Sequence, residues 1–185
     1  MYVLDNGDRL YGFLENWIFV QRIENHTYWK KHFLDQGIDD TEYLEKYKVY
    51  NNHENLLGTT FHEGKNAGMD YSYFEAEEVV PRCQTLIEKL KYTKSIKEFC
   101  WWHQNYAEGG YHSPHSHANC SIAGIYLLEL QNENTTIFYS KDKKREHSFQ
   151  LNNVQEGDLI LFDPKIWHSV DPSDGKKISI CFNAI

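Results

Sequence analysis

Residues 109–120 read GGYHSPHSHANC, and the later stretch EGDLILFDPKIWHSV covers residues 156–170. The first gathers His112, His115 and His117 within six residues, and the second supplies His168 just beyond a short apolar run. On an extended backbone, side chains at i and i+2 share a face about 6–7 Å apart, so the imidazoles of His115 and His117 can converge on one ion. A third ligand from a distant strand end, His168, would complete one face of a coordination sphere and leave the other positions open. Six runs surround these segments: KEFCWWHQNY, CSIAGIYLLEL, TTIFYS, HSFQLNN, DLILF and KISICFNA. They are short, β-branched or aromatic, and parted by Gly, Asn, Asp and Pro turns at even intervals. That spacing predicts a mainly β protein with supporting α-helices, folded as a double-stranded β-helix of the jelly-roll, cupin-like kind.

The first half of the chain gives weaker signals. Residues 14–50 mix aromatics with charges, with short helices expected around 26–35 and 41–48, and residues 50–73 read as loop with one or two short strands. Between Tyr73 and Tyr92, apolar residues fall at helical spacing (Val79, Val80, Cys83, Leu86, Ile87 and Leu90), giving an amphipathic helix that kinks or starts at Pro81. The 185 residues suit a single domain, with residues 1–99 supporting a metal-binding core at 100–185.

Composition narrows the function. Lys and Arg number 19 against 27 Asp and Glu, a net charge of −8 that disfavours nucleic acid as a partner. The four cysteines form no close pair, and no stretch reaches the ~18 apolar residues of a membrane span. The N-terminus lacks the basic start of a signal peptide. The expectation is a soluble, intracellular protein of the cytoplasm, the host's if the chain is viral, without membrane contact. Of the ten histidines, His26, His32, His53, His62, His103 and His147 are read as surface or loop residues, and His112 as lining the pocket.

The segments NYAEGGYHSPHSH, CSIAGIYLLEL, EGDLILFDPKIWHSV and GKKISICFNAI, in this order, resemble the Fe(II)- and 2-oxoglutarate-dependent oxygenases, in their prolyl-hydroxylase-like branch and a set common in phages and bacteria. The resemblance spans about residues 100–185. It implies Fe(II), 2-oxoglutarate and O₂ as cofactor and cosubstrates, with hydroxylation of a C–H bond and succinate and CO₂ as coproducts. It makes His115, His117 and His168 the metal ligands. Lys177 and Ser179 would bind the distal carboxylate of 2-oxoglutarate, Tyr126 would donate its hydroxyl to the cosubstrate, and Asn105 and Asn183 would face the pocket. The substrate implied is a peptidyl residue or a small molecule.

Two positions depart from the usual pattern. His117 stands where the family has Asp or Glu, leaving the metal centre one charge more positive, which a dianionic cosubstrate would neutralise. Lys177 stands for an arginine and offers a point charge in place of a two-pronged grip. Trp101, Trp102, Tyr106, Tyr111 and Trp167 are candidate pocket aromatics. Two alternatives share the fold: a cupin-type three-histidine dioxygenase, and a non-catalytic metal-binding module. The glutamate that cupins place shortly after their HxH is absent from Ala118–Ile122.

Overall fold

A computed structural model describes residues 2–3, 7–13, 16–40, 57–60, 68–91, 95–133, 136–140, 148–151, 153–172 and 174–185. The helix expected at 41–48 and His53, His62 and His147 lie outside the described residues.

Among the described residues, twelve strands form two sheets. The N-terminal strands are β1 (Tyr2–Val3), β2 (Arg9–Phe13), β3 (Asn16–Arg22) and β4 (Leu57–Thr59). The later ones are β5 (Phe99–Tyr106), β6 (His112–His115), β7 (Ile122–Leu130), β8 (Thr136–Tyr139), β9 (Ser148–Gln150), β10 (Asp158–Phe162), β11 (Trp167–Val170) and β12 (Lys177–Ala184). The larger sheet runs β1-β2-β3-β10-β7-β12-β5-β4 and the smaller β6-β11-β8-β9. All the ladders are antiparallel. The expected jelly-roll architecture is therefore present, and the six strand runs read from sequence correspond to β5, β7, β8, β9, β10 and β12. Strand β4 falls where one or two short strands were expected, whereas the positions of β1–β3 were not read from the sequence: β3 pairs with β10 along Asp158–Phe162, so the first half of the chain widens the main sheet as well as covering it.

Strand β12 shows how alternation assigns the two faces of that sheet. Ile178, Ile180, Phe182 and Ala184 enter a core shared with Trp29, Phe33, Tyr71 and Phe74, while Cys181 enters a second core with Trp102, Ile125, Phe138 and Phe162. The first core lies under the helices and the second between the sheets. Central strand β7 is buried on both sides, which explains its near-continuous apolar run. Gly124 on β7 is required by packing: a Cβ there would sit 2.2 Å from Cζ of Phe182.

Among the described residues the two longest helices of the helical layer are α1 (His26–Asp35) and α2 (Val80–Leu90), with a single helical turn at Ser72–Phe74. A π-helical turn, Glu75–Val79, leads into α2, and Pro81 stands in the first turn of α2. Proline has no N–H to donate, so the ladder is interrupted where it would otherwise need one. Glu78 is buried against this layer and accepts hydrogen bonds from Trp29 Nε1 (2.8 Å) and Arg82 (2.7 Å). No helix among the described residues is long and apolar enough to cross a membrane.

Candidate metal centre

Strands β6 and β11 pair so that His115 lies opposite His168. His117 follows β6 in irregular chain and is held by its backbone N–H, which donates to Pro164 O at 2.9 Å. The Asp163–Ile166 turn between β10 and β11 therefore fixes the HSH segment and delivers His168 to it. One ring nitrogen from each of His115, His117 and His168 lies within 4.8 Å of the others.

The tautomers follow from the hydrogen bonds. Nδ1 of His115 faces Ser113 O (2.9 Å), Nδ1 of His168 faces Ile166 O (3.3 Å), and Nδ1 of His117 faces Asn183 Oδ1 (2.7 Å). Each partner is an oxygen acceptor, so each Nδ1 carries the proton and each Nε2 keeps its lone pair, the arrangement seen around metal-ligating imidazoles. Burial holds all three rings neutral: it lowers His115, pulls His117 down to about 4, and pushes the fully buried His168 well below the ordinary histidine range. Trp102 stacks on His117 at 5.7 Å, while Phe162 and Phe138 pack on His168 at 4.8 and 6.0 Å. Three neutral nitrogen donors against an apolar wall suit a divalent transition ion.

Strand β12, whose Asn183 holds His117, carries a second polar group on that same face. Lys177 is 2% exposed, and its Nζ donates to Thr136 Oγ1 at 3.0 Å and stands 5.4 Å from the Tyr106 ring centroid. Burial lowers its ammonium to about 8. Ser179 is 1% exposed, and its Oγ has no hydrogen-bond partner among the described residues. A buried ammonium beside a buried, unpartnered hydroxyl is an arrangement that an anion would complete. Across β12, Lys177 pairs with Tyr106 and Ser179 with Gln104.

Two expected residues are on the wrong face. Tyr126 points into the helical core, where its hydroxyl donates to His26 Nδ1 at 2.7 Å, and His26 Nε2 donates to Glu156 at 3.0 Å. Asn105 also faces the helices, with its Nδ2 on Ile38 O at 2.8 Å. Strand alternation requires both results, since Tyr126 stands between Ile125 and Leu127, and Asn105 between Gln104 and Tyr106. Two histidines read as surface residues are buried as well. His26 joins the bond to Tyr126, and His103 faces Tyr71 OH at 3.1 Å. Trp101 lies in the helical core, whereas Tyr106 is on the site face.

Gln104 was missed. Its Oε1 accepts from Tyr106 OH (2.9 Å) and Cys181 Sγ (3.6 Å), and its Nε2 meets His112 Nδ1 at 3.2 Å. The signal was present in CWWHQNY, where Trp102, Gln104 and Tyr106 share one face of a strand. His112 is half-buried, its ring centroid 4.1 Å from that of His115, and it is not among the three converging ligands. Asn183 adjoins the triad, with its Oδ1 taken by His117 and by Cys120 Sγ at 3.6 Å.

A family described as "Putative 2OG-Fe(II) oxygenase" matches residues 100–183. No curated protein matches the chain. Among solved structures, a prolyl-4-hydroxylase from Pseudomonas putida is similar over 90% of this chain and 91% of its own, at 12% identity and a TM-score of 0.62. A prolyl hydroxylase from Trichoplax adhaerens, in complex with a hypoxia-inducible-factor peptide, is similar over 98% and 84%, at 14% identity and a TM-score of 0.58. HygX from Streptomyces hygroscopicus, with nickel, 2-oxoglutarate and hygromycin B bound, is similar over 89% and 81%, at 8% identity and a TM-score of 0.59. At such identities the likeness is one of fold.

Proposed function

From membership of the 2OG-Fe(II) oxygenase superfamily, carried by residues 100–183, we propose that this chain hydroxylates a C–H bond of a peptide segment or small molecule, using Fe(II), 2-oxoglutarate and O₂ and releasing succinate and CO₂. The observation that carries the reading is the convergence of His115, His117 and His168 beside a buried Lys177 and an unpartnered Ser179 hydroxyl. In this reading residues 1–185 act as one domain, with 1–99 supporting the core at 100–185.

Iron, when bound, supplies the oxidising chemistry. The chain's own part is to hold and shield it. His115, His117 and His168 present Nε2 lone pairs, and Ser113 O, Ile166 O and Asn183 Oδ1 fix their rings. Lys177 and Ser179 take the distal carboxylate of the cosubstrate. With the Lys177 ammonium counted, three neutral imidazoles, a divalent ion and a dianionic cosubstrate leave one positive charge, where a carboxylate in place of His117 would leave none. Trp102, Phe138 and Phe162 keep water from the inner side of the triad.

Prolyl hydroxylases among the similar folds support a peptide segment as substrate, and HygX, solved with hygromycin B, supports a small molecule. The test is Fe(II)-dependent release of succinate from 2-oxoglutarate under O₂, with peptide and metabolite mixtures screened for gain of one oxygen atom. His168→Ala should abolish succinate release. If wild-type protein releases none with Fe(II), the proposal fails.

A further inference from the structure

His112 differs from the three other histidines of the cluster in the one respect that decides what an imidazole can do. The amide of Gln104 is fixed at its oxygen, which accepts from Tyr106 OH and Cys181 Sγ. Its Nε2 therefore faces His112 Nδ1, and an amide nitrogen can only donate. Nδ1 of His112 must accept, so the ring proton sits on Nε2. This is the inverse of His115, His117 and His168, whose Nδ1 atoms donate to oxygens.

The location of the ring gives that proton a target. The ring of His112 lies 4.1 Å from that of His115, tilted by 30°, and is joined to Gln104, whose backbone partner on β12 is Ser179. The register partner of His112, Val170, stands opposite Thr136, whose Oγ1 accepts from Lys177. His112 therefore lies along the strip between the metal ligands and the Lys177–Ser179 pair. On the reading above, 2-oxoglutarate must span that strip, with its 2-oxo-acid end at the metal and its distal carboxylate at Lys177.

We infer that His112 is a cosubstrate-binding residue, an imidazole held by Gln104 as an Nε2–H donor to the 2-oxo-acid end of 2-oxoglutarate. It is the fourth histidine of the site and the one that does not ligate the metal. The inference rests on the proposed function and adds to it a chain of four residues, Tyr106, Cys181, Gln104 and His112, whose product is one oriented proton.

Two measurements test it. In the metal-free protein, long-range ¹H–¹⁵N spectra of the imidazoles report tautomers directly: His112 should carry its proton on Nε2 and the other three on Nδ1. In the Mn(II)-loaded protein without O₂, calorimetry reads 2-oxoglutarate affinity. His112→Phe should weaken 2-oxoglutarate about tenfold, the order of one hydrogen bond to a charged group, with Mn(II) affinity unchanged. His112→Gln, which keeps an N–H donor, should stay within about threefold of wild type. Gln104→Glu should move the His112 proton to Nδ1 and weaken 2-oxoglutarate as His112→Phe does. An Nδ1–H tautomer for His112 in the wild type overturns the inference. So does unaltered 2-oxoglutarate binding in His112→Phe, or a loss that falls on Mn(II). If wild-type protein binds no 2-oxoglutarate with Mn(II) present, the proposed function falls and takes this inference with it, an outcome visible in the wild-type arm alone.

Discussion

Lys177 keeps its ammonium in a fully buried position on β12, where desolvation lowers its pKa from an ordinary 10.5 to about 8. An unfolded chain holds that proton up to about 10.5 and the folded one only to about 8, so between these values unfolding takes up a proton and stability rises with pH. Below pH 8 the full penalty applies, about 3 kcal/mol from the difference between the two pKa values; by pH 10 less than about 1 kcal/mol remains. Lys177→Met removes the charge in similar volume and leaves the buried Thr136 hydroxyl without the donor it has at 3.0 Å, a cost of about 1 kcal/mol. The variant should therefore be more stable than wild type at pH 7 by roughly 2 kcal/mol, and the advantage should disappear by pH 10. Guanidinium unfolding of metal-free wild type and variant across pH 7–10 reads this directly, and the same variant should lose most of its 2-oxoglutarate affinity while keeping the metal. A variant less stable at pH 7, or a difference flat with pH, would show that the fold already compensates the ammonium and would refute the account of Lys177 as a site waiting for an anion.

Tyr126→Phe should cost about 1 kcal/mol of stability through its lost bond to His26, with 2-oxoglutarate affinity unchanged by calorimetry; a cosubstrate defect would put the hydroxyl back in the pocket. Asn183→Ala frees the His117 ring and should weaken metal binding about tenfold or more, read by competition with a chelating dye, with global stability nearly unaltered. Gly124→Ala drives a methyl into the Phe182 ring and should destabilise by about 1–3 kcal/mol in chemical unfolding, and Phe182→Leu in the same chain should recover part of that loss. Additive losses in that double variant would mean the two sites are not in contact.

Much of the second half of the chain was legible because its strands are short, apolar and separated by strong turn residues, and because HSH and the segment ending in His168 carry a metal-ligand pattern that few other arrangements explain. The jelly roll and the convergence of His115, His117 and His168 follow from those features. In the first half only the short strand at Leu57–Thr59 fell where strands were expected. Arg9–Phe13 and Asn16–Arg22 carry charges and polar residues among their aromatics, and it is pairing, of β3 with β10 and of β2 with β3, that makes them sheet. Tyr126 and Asn105 show a different limit. A resemblance assigns residue types to positions, but in a sheet an offset of one residue exchanges one face for the other, as Asn105 between Gln104 and Tyr106 shows. His103 and His26 were hidden for a related reason: a polar residue within an apolar or charged segment looks exposed until its buried partners, Tyr71 for one and Tyr126 for the other, arrive from distant sequence.

Anaerobic titration of the protein with Fe(II) and 2-oxoglutarate, followed in the visible range, tests most directly that one site binds both. The account predicts a weak charge-transfer band that appears only when both are present, is absent in His168→Ala, and needs more 2-oxoglutarate in Lys177→Ala. A band that forms equally well in His168→Ala, or no band in wild-type protein at saturating concentrations of both, would contradict it.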